Sequence, residues 1–112
     1  MVRLIAVPVF LLALPAAAAE VPRLDVQATC KAAVALDPND KSPQANCMRE
    51  EMAARDELGK QWGGFSEPLR KRCVEETSIG GYPSYVEVLT CIQTASGNAQ
   101  PARKSTYRRP GR

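Results

Sequence analysis

GGYPSYVEVLTC, residues 80–91, places two glycines, a Tyr-Pro pair, a compact apolar run and a cysteine in one short stretch. Gly80 and Gly81 follow the last apolar residue of the preceding segment, where a left-handed helix C-cap favours glycine. Tyr82, Pro83 and Ser84 then turn the chain and start a new helix. In that helix Tyr85, Val88, Leu89 and Ile92 recur at i, i+3, i+4 and i+7, with Val86 widening the stripe. Tyr, Val, Thr and Ile also favour strands. The helix is preferred because no other segment offers a strand to pair with, and Gly97 ends it.

Upstream, Ser66 followed by Glu67 and Pro68 opens a third helix, with a capping hydroxyl and an acid and a proline in the first turn. Leu69, Cys73, Val74 and Ile79 form its apolar side. Arg70, Lys71 and Arg72 face outward, where Glu75 and Glu76 neutralise much of their charge. A longer helix runs from Pro43 to about Lys60, capped by Ser42, with Cys47, Met48, Ala54, Leu58 and Trp62 on its core face and an i, i+4 pair of Glu51 with Arg55. The WGGF reversal after it sends Trp62 and Phe65 into the core. Between Leu24 and Leu36 the apolar positions Val26, Cys30, Ala33 and Val34 predict a first helix capped by Asp25, and Asp37-Pro38 stops it.

The ends of the chain differ from this body. Arg3, the apolar run Leu4–Leu14, and Pro15 leading into four alanines read as a signal peptide over residues 1–19, cleaved before Glu20. The run is shorter than the roughly 20 residues that span a bilayer, is interrupted by Pro8 and is followed by Pro15, so no transmembrane span is expected after cleavage. Residues 20–97 form the domain. They carry twelve acids against nine Lys or Arg, whereas residues 98–112 carry Arg103, Lys104, Arg108, Arg109 and Arg112 and no acid. That stretch is read as a disordered basic tail, since it offers too little apolar surface to offset the cost of ordering. Its five cations are candidates for binding an anionic envelope surface.

A domain this small needs help from outside its core, and four cysteines in an exported chain suggest two disulfides. Three pairings are open. Helix levels narrow them. Cys30 and Cys47 differ by roughly 3 Å in height across their turn, and Cys73 and Cys91 by a similar amount. Cys47 and Cys73 differ by about 10 Å, too far for a disulfide. The expected bridges are Cys30–Cys47 and Cys73–Cys91. The expected fold is all-α, a four-helix domain of two disulfide-stapled hairpins.

Catalytic chemistry finds little purchase. The chain has no histidine, which removes the commonest base and metal ligand. No CxxC pair, phosphate loop or complete calcium loop occurs; Asp37, Asn39 and Asp40 only begin like one. The paired acids Glu50-Glu51, Asp56-Glu57 and Glu75-Glu76 read as solvated. No catalytic residue, metal or cofactor is expected, and no nucleic-acid partner.

The segment PSYVEVLTC, with its upstream Gly-Gly and the earlier Arg72-Cys73, resembles a group of small exported four-cysteine helical proteins of alphaproteobacteria. The resemblance covers most of the mature domain and is sharpest over residues 72–91. It implies an exported helical fold and brings no function or site. The expectation is therefore a periplasmic or secreted binding or structural protein, tethered by its tail, with Tyr82 and Ser84 as the partner-facing turn. An acid-stress chaperone is the alternative, and a hydrolase inhibitor with its wedge at residues 80–84 a more distant one.

Overall fold

The computed structural model describes residues 20–98 and 105–110. The elements run α1 (Val26–Lys31), β1 (Val34–Ala35), α2 (Pro43–Gln61), a 3-10 turn (Trp62–Gly64), α3 (Glu67–Ser78), α4 (Tyr85–Ala95) and β2 (Tyr107–Arg108). The signal-peptide reading lies outside the described residues.

The fold is mostly helical, with one departure from the all-α expectation. The first helix stops at Lys31, well short of Leu36, and residues 34 and 35 extend into a strand. That strand pairs antiparallel with β2, Val34 opposite Arg108 and Ala35 opposite Tyr107. The amides of Leu36 and Asp37 both donate to the Thr106 carbonyl, at 2.8 and 3.2 Å. Val34 is β-branched and stiff in a helix. A tertiary partner from the far end of the chain therefore overrides a weak helical preference. The same pairing corrects the reading of the tail. Residues 105–110 pack on the body, and the Tyr107 ring is buried against Cys30 and Cys47.

The disulfides are Cys30–Cys47 and Cys73–Cys91, so α1 is bonded to α2 and α3 to α4. Each closes a loop worth about 3 kcal/mol in the chain-entropy account. The main core joins all four helices: Val26 from α1, Ala54 and Leu58 from α2, Cys73 from α3, and Tyr85, Val88 and Ile92 from α4, with Trp62 beneath them. Burying each large side chain there contributes about 1.5–3 kcal/mol. Phe65 packs at the edge of this core, and Arg70 lies over the Trp62 ring, 5.6 Å from its centroid. Lys71 and Arg72 pair with Glu75 and Glu76 along the exposed side of α3.

The caps follow the sequence in part. Asp25 accepts from the Ala28 amide, and Ser84 accepts from the Glu87 amide. The hydroxyls of Ser42 and Ser66 make no capping bond. Asp40 takes over beside α2, its Oδ1 accepting from the Ser42 amide and the Asn46 side chain. Ile79 leaves the expected apolar side of α3: as the C-cap, its backbone turns extended and its side chain is 79% exposed. Gly80 and Gly81 follow at φ +92° and +82°, a left-handed pair that residues with a side chain rarely adopt.

Candidate functional site: a buried carboxylate, its C-terminal clasp and an exposed turn

On α2 the positions Cys47, Glu51, Ala54 and Leu58 make one buried stripe. Glu51 is thus a carboxylate in a core position, fully buried, contrary to the solvated acid pair expected for Glu50-Glu51. It lies against the start of α4. Its Oε1 accepts from the Ser84 hydroxyl at 2.6 Å, and its Oε2 from the Tyr85 amide at 2.6 Å and the Val86 amide at 3.3 Å. Free amides and the helix dipole make a helix N-terminus a natural place for an anion, and here α2 supplies one. The remaining charge is met by Arg109, whose Nε donates to Glu51 Oε1 at 2.9 Å. The expected pair with Arg55 does not form; Arg55 lies instead over the Tyr85 ring, 6.0 Å from its centroid.

Arg109 and Tyr107 form the clasp. The Arg109 Nη2 donates to Glu50 Oε2 at 3.1 Å and to the Tyr107 hydroxyl at 2.7 Å, and its guanidinium lies over the Tyr107 ring. The Tyr107 hydroxyl in turn donates to Glu50 at 2.5 Å. Burial, then the hydrogen bond to Glu50, pushes the Tyr107 phenol well above its ordinary value, against the pull of Arg109. Burial works against the Arg109 charge, but Tyr107 and Glu51 beside it outweigh that and hold the guanidinium above its usual range.

Ser84 is engaged in this network. It is buried, caps α4, and is flanked by Thr77, whose hydroxyl accepts from the Ser84 amide at 2.9 Å and donates to the Glu87 carboxylate at 2.9 Å. Its expected place on an outward face is therefore corrected. Tyr82, by contrast, is 38% exposed beside the exposed Ile79. Behind that turn Thr29 donates to the Pro83 carbonyl, and the Tyr85 hydroxyl bridges the Leu24 amide and the Pro22 carbonyl.

Of the five basic residues expected to meet an anionic surface, Arg109 is spent on Glu50 and Glu51, Arg108 is exposed, and Arg103, Lys104 and Arg112 lie outside the described residues. Beside the second disulfide a shallow groove of about 410 Å³ is lined by Arg72, Glu76, Thr90 and Cys91 among others. Among the described residues no group of His, Cys, Asp and Glu could hold a metal ion, and no helix is long and apolar enough to cross a membrane. Compared with protein families, with curated proteins and with solved structures, the chain finds no match.

Glu51 and Tyr107 are the residues that sequence reasoning passed over. The signal for Glu51 was present, since it sits four residues after Cys47 and three before Ala54 on the apolar stripe. For Tyr107 the only hint was a lone aromatic in a basic stretch.

Proposed function

We propose that this chain is an exported binding protein, built of two disulfide-stapled helical hairpins and acting without catalysis, which presents the α3–α4 turn to a protein partner. The observation that carries this reading is the turn itself. Ile79 and Tyr82 are exposed apolar side chains on a base fixed by the Cys73–Cys91 bond and by the Thr77–Ser84–Glu51 hydrogen bonds. A rigid support lowers the entropic cost of binding. Export is supported by the two disulfides, which suit an oxidising compartment. The test is capture of envelope proteins on the immobilised mature chain beside an Ile79→Ser/Tyr82→Ser variant. A bound species lost with the double substitution supports the reading; identical capture by both chains removes it.

A tether to anionic envelope surfaces rests on Arg108 together with Arg103, Lys104 and Arg112, since Arg109 is engaged internally. Salt-sensitive cosedimentation with anionic vesicles, lost on removing residues 98–112, is its test.

The acid-stress chaperone remains a second reading because one observation favours it. The segment that lays Tyr107 over the Cys30–Cys47 bond is held by carboxylates, Glu50 and Glu51. Release of that segment would uncover the buried ring and the disulfide, exposing apolar surface. Protection of an aggregating client at about pH 2–3 and not at neutral pH would support it; equal or absent protection would exclude it.

A further inference from the structure

Residues 105–110 bind the body in the manner of an added strand. Backbone pairing with β1 holds the segment, and the Leu36 and Asp37 amides donate to the Thr106 carbonyl. Alternate side chains then point in opposite senses. Tyr107 is buried on the Cys30–Cys47 bond and Arg109 reaches Glu50 and Glu51, while Arg108 between them is exposed. Main-chain bonds that give affinity, with alternate side chains that give specificity, are the marks of peptide recognition by strand addition.

The floor of this groove also dictates what can fill it. Glu51 is fully buried, and a buried carboxylate left without its cation is strongly unfavourable. An occupant must therefore bring a cation to the place of Arg109, and a ring to the place of Tyr107 if the disulfide is to stay covered.

We infer that the groove between α1, β1 and α2 is a peptide-binding site for an extended segment carrying a tyrosine and, two residues on, an arginine, filled in cis by residues 105–110. The C-terminal segment is then an internal competitor. It stands at an effective concentration on the order of millimolar, so the groove serves a foreign Tyr-x-Arg peptide when its own segment is displaced or disabled. This inference rests on the binding-protein reading and adds to it a second site, remote from Ile79 and Tyr82 in sequence. The two are separable: loss of peptide binding leaves capture at the α3–α4 turn untouched, and the reverse.

The experiment titrates a fluorescein-labelled hexapeptide of residues 105–110 into the full mature chain and into the same chain carrying Tyr107→Ala and Arg109→Ala. The double variant is expected to bind saturably, and the unaltered chain at least tenfold more weakly. Peptides with either the Tyr107→Ala or the Arg109→Ala change should also bind the variant at least tenfold more weakly. A variant that keeps its helical circular dichroism yet binds no peptide, or binds all three alike, overturns the inference. Should the variant fail to fold, amide exchange of the unaltered chain decides. With excess hexapeptide, residues 105–110 should lose protection while Leu36 and Asp37 keep theirs. Unchanged protection of 105–110 overturns the inference. Dimers of the unaltered chain that the hexapeptide disperses would place the segment of a second copy in the same groove.

Discussion

Glu51 on α2 and Tyr85 at the first position of α4 are joined by a 2.6 Å hydrogen bond from the Tyr85 amide to the Glu51 carboxylate. One buried acid therefore caps a helix 34 residues away in sequence and holds the arginine that fastens the C-terminal segment. Replacing Glu51 by Ala strands Arg109 and uncaps α4, at a cost of about 3–5 kcal/mol. Glu51→Gln keeps one acceptor oxygen and should lose less, about 1–3 kcal/mol. Urea denaturation of the two variants checks the order.

Ser84 donates to Glu51 and caps α4. Ser84→Ala removes both bonds and should cost about 1–2 kcal/mol, and Ser84→Thr less. Because the Thr77–Ser84–Glu51 bonds hold the base of the α3–α4 turn, Ser84→Ala should also weaken capture by Ile79 and Tyr82, and Ser84→Thr less. Thermal melting and the capture experiment, run together, read the two effects.

Cys30 and Cys47 are wholly buried beneath Tyr107, while Cys91 is only partly covered. Dithiothreitol should therefore reduce Cys73–Cys91 first. Tyr107→Ala removes the cover, at about 3–5 kcal/mol for loss of a buried aromatic, and should bring reduction of Cys30–Cys47 forward. Tyr107→Phe keeps the ring and should leave that order unchanged. Timed alkylation with peptide mapping follows both bonds.

The Tyr107 phenol is raised above its ordinary value near 10 in the fold. The folded state therefore favours the neutral phenol. Its contribution is fully present below about pH 10 and is lost as pH rises beyond it. Release of residues 105–110 should accompany alkaline titration above about pH 10, and Tyr107→Phe should delay it. Tyrosinate absorbance with amide exchange at Leu36 tests the sign.

The parts of this fold written in local pattern were legible. Pro43 and Ser84 mark helix starts, Gly80 and Gly81 a left-handed stop, and the helix levels select the two disulfides that form. What sequence hid was non-local. Val34 and Ala35 follow a helical pattern until a strand from residues 107 and 108 claims them, and six residues rich in arginine carry too little hydrophobicity to announce that one ring covers a disulfide. Glu51 lay on the apolar stripe, but an acid there is discounted unless its donors are known. Those donors come from Ser84, Tyr85, Val86 and Arg109, none nearer than 33 residues.

The Tyr85 hydroxyl ties down Pro22, Thr29 ties down Pro83, and Glu51 ties down Arg109, across 63, 54 and 58 residues. Each disulfide, by comparison, spans 17 or 18. Closing long loops is slow and goes unrewarded until the ends meet. Helices can form early and locally, yet the molecule should gain its stability in one late, cooperative step. Cut between Phe65 and Ser66, neither half should fold alone, even with its disulfide intact.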